Sequence, residues 1–119
     1  MLQEGLEIII GTKVDDQFGP VIMFGIGGVL VEVLKDVVFR VLPISRRSAR
    51  HMVDEIHSAR LLDGFRGSPP RDRKAIVELL LTVSEISEAY PEIEELDLNP
   101  VLVYDRGLSI ADARIILRP

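Results

Sequence analysis

The sequence predicts an α+β domain, a mainly antiparallel sheet with two helices packed on one face. Three observations carry this. Short β-branched runs broken by Gly and Pro fill the first third of the chain. Two long stretches then repeat apolar residues at intervals of three and four, and a last pair of short runs closes around Asp105-Arg106-Gly107. Strands, then helices, then a hairpin is the α+β order rather than the strict alternation of a parallel sheet.

The first predicted strand is residues 6–10, stopped at Gly11. Asp15, Asp16 and Gly19 are turn formers, so residues 14–19 turn the chain into a second strand at 20–24, with Pro20 at a strand's first position. Gly25, Gly27 and Gly28 make a tight connection to a third strand at 29–34, whose charged member is Glu32. A fourth strand at 37–42 ends at Pro43. The two near-continuous apolar strands imply a sheet covered on at least one face.

Ser45 is a good N-cap for a helix running to about Leu62, with Ala49, Met52, Val53, Ile56 and Ala59 as its apolar stripe and Gly64 as its stop. Residues 65–70 (FRGSPP) form a loop. Asp72 caps a second helix over 73–90, with Ile76, Leu79, Leu80, Val83, Ile86 and Tyr90 along one side and Pro91 after it. Strands follow at 93–98 and 101–104, then the hairpin turn, then a returning strand at 108–113 extended by 115–117.

A chain of 119 residues suffices for one core, burying roughly 65% of its unfolded surface. It is 47% hydrophobic but only 5% aromatic and has no Trp, so that core is aliphatic. The net charge of -5 argues against general nucleic-acid binding, which needs a basic footprint. The short cluster Arg46, Arg47, Arg50 reads as a solvated helix face, with a polyanion site as the alternative. There is no Cys, which removes disulfides and thiolate metal sites. No apolar run approaches the ~20 residues of a membrane span. With Glu4 and Glu7 near the start and no leader pattern, a soluble cytoplasmic protein is the expectation.

The sharpest chemical feature is Leu96-Asp97-Leu98-Asn99-Pro100 followed by Asp112. Strand alternation points Asp97 and Asn99 the same way, and a hairpin brings Asp112 alongside. Two carboxylates and an amide oxygen are hard donors of the kind Mg²⁺ prefers. The competing reading is a pair of polar residues on a solvated face, and spacing alone leaves both open. Asn99 is the sole Asn in the chain and lies between apolar residues.

Gly25, Gly27 and Gly28 are not a Walker loop, since the GK[ST] ending and the following helix are both missing. They read as a tight turn, with close approach to a phosphate as the alternative. Glu32 is either a paired edge charge or a cleft residue. Lys35, Asp36 and Arg40 form either a salt-bridged strand surface or the anion side of a cleft. His51 and His57 are six residues apart, hence ~120° apart around a helix, and cannot share a metal on one. Both read as surface or packing residues.

Several segments together resemble the ADP-forming acyl-CoA synthetases, in particular their ATP-grasp part. Glu95-Leu96-Asp97-Leu98-Asn99-Pro100-Val101 is similar to that family's acidic-x-Asn-Pro strand. Residues 6–11 (LEIIIG), residues 18–28 (FGPVIMFGIGG) with 31–36 (VEVLKD), and Phe65-Arg66-Gly67 with Pro69, Pro70 and Asp72 follow the same pattern in the same order. The FGPVIMFGIGG segment fits a succinyl-CoA synthetase β-subunit poorly, although such subunits carry a stretch like the Asn-Pro strand.

The resemblance implies that residues 1–119 are the C-terminal lobe of an ATP-grasp domain. The first lobe and the CoA-binding and CoA-ligase domains are then expected elsewhere, as domains or subunits. It implies Mg²⁺ and ATP or ADP as cofactors, with CoA and a small carboxylic acid as partners of the full enzyme. Residue by residue, Asn99 and Asp112 match the metal ligands. Asp97 matches the acidic catalytic residue that assists metal or phosphohistidine, and Glu7 matches a strand Glu facing the nucleotide. The implied reaction moves phosphate between ATP and a phosphohistidine and acyl phosphate. The alternatives are a non-catalytic nucleotide-sensing module fused to an acetyltransferase, or a succinyl-CoA synthetase-like fragment.

Overall fold

Strand β1 (Leu6–Asp15) runs at the middle of an antiparallel sheet whose described strands take the order β3-β2-β1-β4-β5, with β6 also paired to β4. The computed structural model describes residues 5–27, 36–64 and 69–119, without the side chains of His57 and Ser58. The predicted third strand at 29–34 with Glu32, and also Gly28, Lys35 and Arg66, lie outside the described residues.

β1 is twice the predicted length because Gly11 does not end it. Gly11 pairs with Met23 on one side and Asp97 on the other, so two partners hold the strand through a residue of poor intrinsic strand preference. The turn comes later, where the Asp15 carboxylate accepts from the Gln17 and Phe18 amides at 2.8 and 3.0 Å and Gly19 adopts φ 74°.

β2 (Gly19–Ile26) extends two residues past its predicted end, so Gly25 is a strand residue rather than part of a turn. A Cβ on Gly25 would lie 2.8 Å from Val37 Cγ1. Gly27 donates to the Glu7 carbonyl at 2.7 Å, and a Cβ there would meet the Glu7 backbone at 3.3 Å. These two glycines admit close strand neighbours. β3 (Val37–Val41) completes this side.

Helix α1 (Arg46–Glu55) begins as predicted, with Ser45 Oγ accepting from the Ser48 amide at 3.1 Å. It stops seven residues short of Leu62. Ile56 is extended at φ -63°, ψ 138°, and a 3₁₀ turn follows over His57–Asp63. The reason is tertiary. Arg73 bonds Asp54 at 2.6 Å before the break, and Asp63 at 2.7 Å and the Ala59 carbonyl at 3.2 Å after it. Stripe residue Ile56 and the expected helix end Leu62 are buried nonetheless. Helix α2 (Arg73–Ala89) buries Ile76, Val77, Leu80, Val83 and Ser84, while Tyr90 is exposed instead of closing the stripe.

β4 (Ile93–Val103) is one continuous strand, followed by β5 (Leu108–Ile110) and β6 (Ala113–Leu117). Both described helices cover one sheet face, and the core joins Ile8, Ile10, Ile22, Phe24, Leu96, Leu98, Val101 and Val103 to Met52, Val53 and Leu80. The opposite face carries Ile9, Gly11 and Lys13 of β1, Val21 and Met23 of β2, Phe39 of β3, and Glu95 and Asp97 of β4.

The end of β4 is tied to α2 by Asp72. One carboxylate oxygen accepts from the Ala75 amide at 3.0 Å and the other from the Gly107 amide at 2.7 Å, while the Asp72 amide donates to the Tyr104 carbonyl at 2.8 Å. Those two amides, Gly107 first, hold the Asp72 carboxyl below the usual carboxylate range.

Two outcomes follow from this packing. Leu80 is fully buried, so Leu80→Ala is expected to cost about 2–5 kcal/mol in chemical denaturation, and a loss under about 1 kcal/mol would place it outside the core. Asp72→Ala removes a cap and a turn clasp together and is expected to cost about 2 kcal/mol at neutral pH. Because the folded carboxyl titrates low, this stabilisation is complete above the unfolded value of about 3.9 and disappears as pH falls through the depressed folded value. The parent and Asp72→Ala stability curves should therefore converge at acid pH.

Candidate metal and nucleotide site

On β4 the buried residues are Leu96 and Leu98, then Val101 and Val103, so the inward phase changes between Leu98 and Val101. The pairing with β1 shows the cause. Ile8 faces Val101 and Ile10 faces Leu98, which leaves Asn99 and Pro100 together opposite Ile9. One extra residue in β4 makes a bulge, and Pro100 has no amide to lose there.

Before the bulge, Asp97 and Asn99 alternate with buried leucines and are exposed on the face opposite the described helices. The Asn99 amide donates to the Asp112 carbonyl at 3.1 Å, and the Ala111 amide donates to the Pro100 carbonyl at 3.0 Å. Asp112 is therefore the cross-strand neighbour of Asn99, on the link between β5 and β6. Glu7 lies two residues from Ile9 on the same face of β1 and is exposed. The fold thus gathers Asp97, Asn99 and Asp112 at one place, with Glu7 farther along the same face.

Asp97 also lines a hollow of about 580 Å³ on this face, together with Gly11, Lys13, Met23, Phe39 and Arg114. Gly11 keeps it open. A Cβ there would lie 3.3 Å from the Leu96 carbonyl, 3.7 Å from Asp97 Oδ1 and 4.0 Å from Met23 Cε. The apolar side is made by exposed Phe18 and Phe39. A flat apolar patch beside charged groups suits a ligand that is part ring and part anion.

Among the described residues no three His, Cys, Asp or Glu side chains gather into a metal cage. Two carboxylates and an amide oxygen nevertheless fit Mg²⁺, which takes few protein ligands and completes its shell with water and substrate phosphates. The donor set is chemically suited to that ion and poor for a softer metal.

Known proteins resemble this chain over nearly its whole length. The model of an ATP-grasp domain family matches residues 1–117. The chain belongs to the ATP-grasp family. Acetate–CoA ligase (ADP-forming) I of Archaeoglobus fulgidus is 54% identical over 117 residues, which are 98% of this chain and 17% of that protein. The β-subunit of acetate–CoA ligase (ADP-forming) II of Pyrococcus furiosus is 50% identical over 121 residues, 99% of this chain and 51% of the subunit. Among solved structures, acetyl-coenzyme A synthetase 1 of Ca. Korarchaeum cryptofilum, in complex with coenzyme A and Mg-AMPPCP, superposes with a TM-score of 0.92 at 48% identity, covering 99% of this chain and 55% of that one. The chain spans about half or less of the length of these relatives.

Other polar residues singled out from the ATP-grasp sequence fall away from this face. Arg40 pairs with Glu55 of α1, which makes it part of a salt-bridged surface. Arg46 pairs with Glu78 of α2, holding that carboxyl low, and with exposed Arg47 and Arg50 it lies on the helix side. His51 is exposed.

Sequence reading missed Arg114, whose backbone position lies directly opposite Asp97 in the β4–β6 register. It also missed Gly11, read there as a strand end. The signal for Arg114 was its position two residues after Asp112, which alternation places on the same face when β6 is straight. Gly11→Val would fill the hollow beside Asp97. It is expected to cost about 1–3 kcal/mol in chemical denaturation, because a Cβ at Gly11 already lies 3.3 Å from the Leu96 carbonyl.

Proposed function

We propose that residues 1–119 are the C-terminal lobe of the ATP-grasp domain in an ADP-forming acyl-CoA synthetase. In this reading the lobe carries the metal ligands for phosphoryl transfer, and the full enzyme exchanges acyl-CoA, ADP and phosphate for the free acid, CoA and ATP. The observation that supports this most is the joint placement of Asp97, Asn99 and Asp112 at the β4 bulge, in a chain about half identical to acetate–CoA ligases over nearly its whole length.

Asn99 and Asp112 would hold Mg²⁺, with Asp97 beside them and Glu7 toward the nucleotide. When bound, the ion neutralises phosphate charge and orients the phosphates. The chain's own residues do the rest by position. The bulge fixes the donor oxygens, Gly11 leaves space next to Asp97, and Phe18 and Phe39 exclude water along the apolar side. The terminal phosphoryl group of ATP passes to a histidine nitrogen on another segment. The P–N bond forms as the bridging P–O bond breaks, and ADP leaves with that oxygen and its electron pair.

The remaining ATP-grasp lobe and the CoA-binding and CoA-ligase parts belong to other domains or subunits in this reading. CoA and a small carboxylic acid are then partners of the whole enzyme, which works in the cytoplasm. Among the described residues no helix is long and apolar enough to cross a membrane.

Phosphoryl transfer depends on groups positioned from both lobes, so the 119-residue chain by itself should show no synthetase activity and bind Mg-ATP only at about millimolar concentration or weaker. Calorimetry on the isolated chain tests this. Micromolar ATP binding without a partner would favour a self-sufficient nucleotide-sensing module instead.

A further inference from the structure

We infer that Arg114 is a phosphate-binding residue of this same site, which holds the nonbridging oxygens of the phosphoryl group in transit. The inference rests on the function proposed above.

The β4–β6 register sets Arg114 directly opposite Asp97. Side chains of opposed residues project from one face with Cβ atoms roughly 5 Å apart. Both residues line the hollow on the face opposite the described helices. The most ordinary use of such an arginine is a cross-strand ion pair with Asp97. Among the described residues the ion pairs employ Arg40, Arg46, Arg73 and Arg118 but not Arg114. Arg114 is exposed and lines the hollow, and among the described residues no hydrogen bond or ion pair engages its side chain.

Charge balance supplies the reason for a cation here. Asp97 and Asp112 repel an incoming phosphate, and a divalent ion between them offsets that only on the side it occupies. The oxygens facing away from the metal need a second cation. Arg114 is two residues from Asp112 along the chain and across the ladder from Asp97, so it flanks the donor set. A guanidinium stays protonated at every working pH, and its planar fork can grip two phosphate oxygens at once. No proton moves in this role. Arg114 stabilises charge while the P–O bond to ADP breaks and the P–N bond forms.

The test compares Arg114→Ala, Arg114→Lys and Asp112→Ala in the complete enzyme, following phosphorylation of the enzyme by saturating Mg-ATP alongside thermal melting. Arg114→Ala is expected to slow phosphorylation by about 100-fold, the scale of losing one preorganised donor to a developing anion. Arg114→Lys should recover only part of the rate, because the charge returns without the fork. Added guanidinium ion should raise the rate of Arg114→Ala and leave Arg114→Lys unchanged. Such rescue would separate a phosphate contact from a structural role even if the alanine variant melts lower. An Arg114→Ala rate within twofold of the parent, with Asp112→Ala inactive, overturns the role of Arg114 and leaves the proposed function standing. If Asp112→Ala is also fully active, the proposed function itself fails, and the inference with it.

Discussion

The arrangement of this protein depends on a single extra residue in β4, where Asn99 and Pro100 together face Ile9. A strand alternates faces without exception, so an uninterrupted β4 that buried Leu96 and Leu98 would turn Val101 and Val103 outward. The bulge shifts the phase by one and lets both halves of the strand bury their apolar residues. The returning chain matches it with Ala111 and Asp112, tied to Pro100 and Asn99 by backbone hydrogen bonds. Packing on one face and polar display on the other are thus consequences of one local irregularity. Its location beside an Asp, an Asn and a second Asp follows the tendency of bulges to re-aim side chains at sites.

Two side chains at the start of α2 keep that strand in place. Asp72 bridges the first turn of α2 to Gly107 in the β4–β5 hairpin, and Arg73 binds the end of α1 and the 3₁₀ turn. The two residues are adjacent and act in opposite directions, one toward the sheet and one toward the other helix. The helix layer is therefore fastened to the hairpin that follows the bulge. The Ile44 amide adds a further tie by donating to Ser84 Oγ in the middle of α2 at 3.2 Å.

The sheet face opposite the described helices is left with a mixed character, apolar at Phe18, Met23 and Phe39 and charged at Lys13, Asp97 and Arg114. A surface of that kind suits one wall of a ligand cleft. In the reading proposed here, nucleotide and an opposing lobe cover it, and the low number of protein metal donors reflects an ion whose other ligands arrive with the substrate. The fold by itself would not assign this chemistry, because a sheet with two helices on one face hosts many functions.

The α+β class was legible in the sequence because apolar periodicity is local, and burial follows it. So were both helix N-caps, Ser45 and Asp72, whose side chains need only the next turn of the helix. Strand alternation put Asp97 and Asn99 on one face, but spacing alone left a solvated face open, and the roles of Asp97, Asn99 and Asp112 came from the family resemblance. Tertiary structure alone decided where elements end and which residues face each other. Gly11 stays in β1 because Met23 and Asp97 flank it, and α1 breaks at Ile56 in a segment that Arg73 of α2 binds on both sides. Arg114 joins the site only through the register of β6 on β4. Register, helix interruption and cross-strand company depend on partners distant in the chain, and local patterns of side chains carry no information about which partner arrives.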